Sequence, residues 1–373
     1  MDDTKRQLEP LRAKRNPVVI GTGLVALDVV IPSSLETDPQ LRAGGTCGNV
    51  LTALAYLGWG SYPIARLSED GASKLVAADL RQWGVQLDFV TFDDDGSTPV
   101  IVQHIRNSKT GAPSHSFSRK CPCCGAILPW YKALRVADVT DLVPRLPKPQ
   151  VYFFDRISRG ALTLARQSRK LGAVVFFEPS ASSEPNLLKE ALELAHIVKL
   201  SSDRIGGNEA VLTATKPKII IETRGSAGLR LRHTDSERER GGNKWHEVSA
   251  IPVDRLRDTA GAGDWCTAGI IHMLGAMGAK GLTDLTLAEV RQAVQIGQAM
   301  ASWTCGFDGA RGGMYGSEKA AFQGTILGLA NGRTDSAADM KRAASLTRER
   351  QVFTCESCRA KDKPQSSVRK SRR

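Results

Sequence analysis

Between residues 151 and 223, apolar runs too short for helices alternate with amphipathic segments: VYFFD (151–155), ALTLARQSRKLG (161–172), AVVFFEP (173–179), PNLLKEALELA (185–195) and KIIIET (218–223). Runs of β-branched and aromatic residues without a polar face demand burial on both sides, and helix-length connections let successive strands lie parallel. The alternation therefore predicts βαβ crossovers, giving a three-layer α/β fold whose mainly parallel sheet carries helices on both faces.

The flanking regions extend this pattern. VVIGTGLVALDVVI (18–31) reads as a buried strand with a glycine turn, and TCGNVLTALAYLG (46–58) has apolar residues at helical spacing, with Gly44 and Gly45 at its entry. A β-rich stretch at 97–118, turning around Lys109, Thr110 and Gly111, reads as a hairpin added to the main sheet and placed to act as a lid. With 373 residues, 41% of them hydrophobic, the chain is long enough for a substantial core. The run from Val18 to Ile31 is broken by glycines and Asp28 and is too short to span a bilayer, so the reading is a soluble, cytoplasmic protein without membrane partners. The net charge is +12, and residues 359–373 hold seven Lys/Arg against one Asp, which supplies six of those charges. This tail reads as a solvated, disordered end, with nucleic acid as a partner its charge permits.

Chemistry concentrates at Arg257-Asp258-Thr259-Ala260-Gly261-Ala262-Gly263-Asp264, between strand-like EVSAIPV and helix-like DWCTAGIIHMLGAMG. A helix N-terminus offers unpaired backbone N–H groups and a positive dipole end, and small residues let a phosphate approach them, so Ala260 to Gly263 form an anion hole. Asp264 beside it would repel a simple anion but suits the base that takes a proton from an attacking hydroxyl. The alternative reading is that Asp264 caps the helix and the glycines only make a tight turn.

DTAGAGD (258–264) resembles the C-terminal signature of the ribokinase-like (PfkB) carbohydrate and nucleoside kinases, and AGGTCGNVLTALAYLG (43–58) resembles their N-terminal helix entry. The resemblance spans most of residues 17–325 and implies a ribokinase-like fold with a small β lid (97–118), followed here by a cysteine-containing insertion at about 119–132. A connector over 326–358 and the basic tail over 359–373 complete the expected organisation. The resemblance implies Asp28, Gly44, Gly45 and Asn49 at the substrate and Thr223, Gly225, Gly228 and Thr259 at ATP. Gly261, Ala262, Gly263 and Asp264 would be catalytic, and Cys305 to Gly313 would form the last loop near adenine. The implied reaction is Mg²⁺-dependent transfer of the γ-phosphoryl group of ATP to a hydroxyl of a sugar or nucleoside. It also implies lid strands that pair two subunits into a homodimer.

Two departures qualify the match. Where the family carries N-x-x-E, this chain has Ser201-Ser202-Asp203-Arg204, leaving Asp203 or the more distant Glu209 to organise Mg²⁺, and Glu178-Pro179-Ser180 replaces an aspartate-to-asparagine strand end. The change at Glu178 blurs the substrate inference, and the missing N-x-x-E favours an alternative in which the protein is a catalytically weak nucleotide- or sugar-binding regulator that contacts a partner through its zinc module and basic tail. Arg224 is a candidate for ATP phosphates or a solvated loop residue, and Trp83, Trp130 and Trp245 are available for stacking or for packing.

Cys47, Cys266 and Cys305 sit in apolar contexts and read as buried small residues. Cys121 and Cys124 form one CxxC and Cys355 and Cys358 another, 231 positions on, with Cys123 the odd one out. Four thiolates suit a closed, structural Zn²⁺ site that would pin the C-terminal segment to the insertion. Two unrelated thiol clusters or a redox-sensitive pair are the other readings.

Overall fold

The structure, a computed structural model, describes residues 9–10, 16–33, 38–107, 113–180, 184–202, 215, 217–234, 244–333, 355 and 357–359. The expected lid turn at Lys109 to Gly111, most of the connector, and the basic tail beyond Arg359 lie outside these residues.

The chain starts with β1 (Val18–Thr22) and β2 (Ala26–Ile31), and these belong to different sheets. The single strand expected over 18–31 is therefore two. Gly23, at φ +143, makes the break: a Cβ there would lie 1.6 Å from Asp155 Oδ1, and that carboxylate accepts a hydrogen bond from Leu24 N at 3.0 Å. Next come β3 (Gln40–Gly44), α1 (Thr46–Tyr56), β4 (Gly60–Leu67), α2 (Gly71–Gln82), β5 (Val90–Phe92), β6 (Val100–Asn107) and β7 (Pro113–Ser118). The central crossovers follow as α3 (Val136–Leu142), β8 (Val151–Phe154), α4 (Arg159–Lys170), β9 (Val174–Phe177), α5 (Pro185–Leu194), β10 (Ile197–Ser201) and β11 (Ile219–Thr223). The described part closes with β12 (Leu229–His233), β13 (His246–Val248), α6 (Ala262–Gly275), α7 (Leu287–Thr304), α8 (Gly312–Gly316) and α9 (Lys319–Ala330).

The large sheet runs β13-β12-β11-β10-β9-β8-β1-β4-β5, parallel from β5 to β11 and antiparallel at β12 and β13. Alternate side chains of its strands enter separate cores. Val151, Phe153 and Phe176 pack with residues of α1, α6, α7 and α9, whereas Tyr152, Phe154 and Phe177 pack with residues of α4 and α5. This is the three-layer arrangement that the strand–helix alternation predicts.

The small sheet runs β3-β2-β6-β7, so the hairpin does not extend the main sheet as the sequence suggests. The Gly23 turn diverts β2 away from β1, and β2 then pairs parallel with β6 from Leu27↔Val100 to Ile31↔His104. A second difference is that EVSAIPV forms a strand only as His246–Val248, with irregular chain from residue 249 to the start of α6.

Candidate active site

A cavity of about 1050 Å³ opens between the small sheet and the C-terminal ends of β9, β10 and β11, where Glu178, Ser201 and Thr223 reach its wall. Gly261, Ala262, Gly263 and Asp264 line the same space. Gly261 is the N-cap of α6 at φ +75, and a Cβ there would lie 2.5 Å from Ala310 O, so only glycine fits this turn. No side chain caps α6. Asp264 instead accepts a hydrogen bond from Asn49 Nδ2 at 2.7 Å, so its carboxyl faces α1 rather than the helix end.

Burial, reinforced by the charge of Glu178, raises Asp264 to about 8, against the opposing pull of the Asn49 hydrogen bond and Lys199. Behind it, Lys199 Nζ donates to Glu178 Oε1 at 2.6 Å and Thr267 Oγ1 donates to Glu178 Oε2 at 2.5 Å. Glu178 thus ties the end of β9 to β10 and to α6, one helical turn beyond Asp264. Lys199 was not anticipated, although a lone lysine inside the apolar run IVKL was its signal.

Asp28 on β2 and Asn49 on α1 stand with Gly45 on the cavity wall. Burial pushes Asp28 up to about 7, while Arg311 and the Gly45 N–H pull it down. Asp28 Oδ1 and Asn49 Oδ1 are buried and have no hydrogen-bond partner among the described residues, which leaves two acceptors for ligand hydroxyls. Gly44 is not on the wall. It ends β3 beneath Asp28, where a Cβ would lie 1.9 Å from Asp28 Oδ2.

At the other end, Thr223, Gly225, Gly228 and Thr259 line the cavity. Gly225 and Gly228 have φ of +57 and +88, and Arg224 N donates to Gly228 O at 2.8 Å to close the turn between β11 and β12. Arg224 itself is engaged by Glu222 at 3.2 Å and Glu247 at 3.0 Å. Of the expected last loop, Cys305 and Ala310 reach the cavity. Asp203 and Glu209 lie outside the described residues. Trp83 packs edge-on against Tyr56 and Tyr315, and Trp245 lies under Arg230, whereas Trp130 lines the cavity.

Asp258, in the same motif as Asp264, was missed. Its buried carboxylate accepts from Gln103 Nε2 at 2.5 Å, Ala260 N at 3.0 Å and Gly309 N at 2.9 Å, and lies 3.0 Å from His115 Nδ1. It fastens β6, β7, the glycine turn and the last loop at one point. Burial alone would raise Asp258, but these partners hold it below its ordinary value.

The two CxxC pairs converge. Cys121, Cys124, Cys355 and Cys358 place their sulfurs within 4.8 Å of one another, with Cys121–Cys358 at 3.9 Å, Cys124–Cys355 at 3.5 Å and Cys355–Cys358 at 3.6 Å. A tetrahedron with metal–sulfur bonds of about 2.3 Å has edges of about 3.8 Å, whereas a disulfide brings sulfurs to about 2.0 Å. The spacing therefore fits a shared metal, and Cys358 N points at Cys355 Sγ at 3.4 Å, as thiolate-binding turns do. Cys123 is exposed.

The pfkB family carbohydrate kinase model matches residues 159–314. An ATP-dependent ribose-1-phosphate kinase of Halopiger xanaduensis is 26% identical over 308 residues, covering 78% of this chain and 89% of that protein. Among solved structures, the fructokinase of Xylella fastidiosa with bound ATP superposes with a TM-score of 0.64 at 18% identity, over 84% of this chain and 98% of its own. The aminoimidazole riboside kinase of Salmonella enterica, complexed with aminoimidazole riboside and an ATP analogue, gives 0.61 at 19% identity, over 83% and 99%. The solved structures show a ribokinase-like fold for this chain, and within it residues 159–314 are similar to the pfkB family carbohydrate kinases.

Proposed function

We propose that the chain transfers the γ-phosphoryl group of ATP to a hydroxyl of a sugar or nucleoside, with Asp264 as base. The observation that carries this is the placement of Asp264 in one cavity with the glycine turn, with Asp28 and Asn49 on one side and the Thr223–Gly228 turn on the other. ATP would lie along Thr223, Gly225, Gly228 and Thr259. Asp28, Gly45 and Asn49 would hold the acceptor, with the unpartnered oxygens of Asp28 and Asn49 taking its hydroxyl hydrogens. Asp264 takes the proton of the reacting hydroxyl as its oxygen attacks the γ-phosphorus in line. The bond to the β,γ-bridging oxygen breaks, and Gly261 to Gly263 offer backbone N–H groups to the charge that develops.

Mg²⁺ bound with ATP would neutralise the phosphate oxygens, and on this chain its ordering falls to Asp203 or Glu209. The names of the relatives specify ribose 1-phosphate, fructose and aminoimidazole riboside, which points to an acceptor built on a pentose or ketose. Zn²⁺ is the metal that four thiols at this spacing suit best, held by Cys121, Cys124, Cys355 and Cys358 as a closed structural site. Pairing of two copies through the edges of the small sheet belongs to the same proposal.

The test is phosphorylated product, read by mass, from Mg·ATP and a panel of sugars and nucleosides, for the wild type and Asp264→Asn. Product from the wild type alone supports the assignment. ATP binding without turnover of any acceptor would favour the regulatory reading, for which the replacement of N-x-x-E by Ser201-Ser202-Asp203-Arg204 is the specific observation.

A further inference from the structure

Two guanidinium groups border the acceptor end of the cavity, and neither has a part in the phosphoryl transfer described above. Arg119 follows β7 and stacks on Trp130, its Cζ 4.9 Å from the ring centre, and both residues line the cavity. They are fixed relative to the acceptor site by backbone. Leu128 N donates to Arg119 O at 2.8 Å, and Val100 N donates to Pro129 O at 3.3 Å. Val100 in turn pairs with Leu27, the neighbour of Asp28. Arg156 reaches the same end from β8, because the carboxylate of Asp155, which binds Arg156 Nη1 at 2.5 Å, also holds Leu24 N beside Gly45.

The two arginines differ in what occupies them. Arg156 gives one nitrogen to Asp155, and its side chain keeps 19% of its surface exposed. Arg119 has no carboxylate partner among the described residues, and stacking on an indole face leaves the in-plane N–H donors of a guanidinium open to a ligand. The deep end of the site is the opposite in character, with the half-buried carboxyls of Asp28 and Asp264 and the buried amide oxygen of Asn49. A polyol entering this gradient is oriented if it is neutral at one end and acidic at the other. Its hydroxyls fit the deep acceptors, and an acidic group fits the arginine rim.

We propose that the acceptor carries, besides its reacting hydroxyl, a phosphate or carboxylate group that Arg119 and Arg156 bind at the mouth of the cavity. This rests on the Asp28–Asn49 side being the acceptor end. Trp130 serves as the platform that holds the Arg119 fork in the orientation a bidentate oxyanion needs.

The experiment compares kcat/KM, with saturating Mg·ATP, for two pairs that keep a primary hydroxyl: ribose 1-phosphate against ribose, and gluconate against sorbitol. The acidic member of at least one pair is expected to be favoured by about ten-fold or more, and the pair that shows it distinguishes phosphate from carboxylate. The acidic-to-neutral ratio is expected to fall by about ten-fold in Arg119→Ala and in Arg156→Ala, a ratio that a general loss of active enzyme does not move. Equal use of acidic and neutral members by the wild type, or a preference that survives both substitutions, overturns the proposal while leaving the kinase reading intact. Should no acceptor be turned over, the kinase reading fails and calorimetric binding of the same pairs decides. Tighter binding of an acidic member that is lost in Arg119→Ala supports the arginine site, and equal or undetectable affinities overturn it.

Discussion

As the proposed base, Asp264 must lose its own proton before it can accept one from a hydroxyl, and burial makes that difficult. With its ionisation raised to about 8, the free enzyme holds the working carboxylate only as a minority at neutral pH, so kcat/KM is expected to climb through neutrality and level off above about 8. Asp264→Asn should lower kcat by about 10²–10⁴-fold and remove that limb of the profile, which initial rates from pH 6 to 9 would measure. The same shift has a stability consequence. A carboxyl raised from 3.8 in the unfolded chain to about 8 in the folded one contributes stability that is complete below 3.8 and lost as pH rises through 8. The melting temperature of the wild type is therefore expected to fall on going alkaline, and that fall should shrink in Asp264→Asn. That Asp264 and its glycines share one helix start was legible in the sequence, because they lie within a single turn of chain. Glu178 and Lys199 were not read as its support, because the bond between them spans 21 positions and joins the end of β9 to the middle of β10, which only the sheet order brings together.

Among the elements, the small sheet and the cysteine knuckle are the parts whose placement the sequence left most open. The hairpin was legible from its alternation and turn residues, but its sheet was not, since one glycine at position 23 decides whether β2 continues β1 or leaves it. Asp258 then fastens that sheet to the glycine turn. In Asp258→Ala the side chains of Gln103 and His115 and the Gly309 N–H lose their shared acceptor, at a cost of about 1–3 kcal/mol. Faster amide exchange in β6 and β7 than in the main sheet, together with a raised KM for the acceptor, is the expected signature. The knuckle makes a separate prediction. If the thiols share Zn²⁺, the purified protein holds about one equivalent, and Cys355→Ser with Cys358→Ser releases it and lowers the melting temperature by roughly 5 °C. Metal analysis beside thermal denaturation checks both, and unchanged values for both would leave the cluster as four thiols without a metal. The pairing was legible as two CxxC motifs, but their convergence across 231 positions was a property of the fold.

At the scale of the whole molecule, one buried ion pair joins parts of the chain that lie far apart in sequence. Arg311, at 1% exposure, donates to Asp79 Oδ2 at 2.5 Å and to Ala43 O, while Asp79 also accepts from Ala43 N at 2.7 Å and Tyr315 Oη at 2.5 Å. The network locks α8 to α2 and to the end of β3, directly beneath Gly44 and Asp28. Burial would raise Asp79, yet Arg311, Tyr315 and the Ala43 N–H hold it below 3.8, so its contribution to stability is present above 3.8 and is lost as pH falls through its lower folded value. Removing only the cation reverses the balance. Arg311→Met leaves a carboxylate buried without its counter-charge, which costs about 3–5 kcal/mol at pH 7. As pH falls toward 4, Asp79 in the variant takes up a proton and sheds that penalty, so the stability gap between variant and wild type should narrow. Urea unfolding at pH 7 and pH 4.5 measures this. A gap of equal size at both values would mean that Arg311 acts through packing alone. Because Ala43 precedes the glycine on which Asp28 rests, the same variant should raise the KM of the acceptor more than that of ATP, linking the stability of the two-sheet assembly to the geometry of the proposed acceptor end.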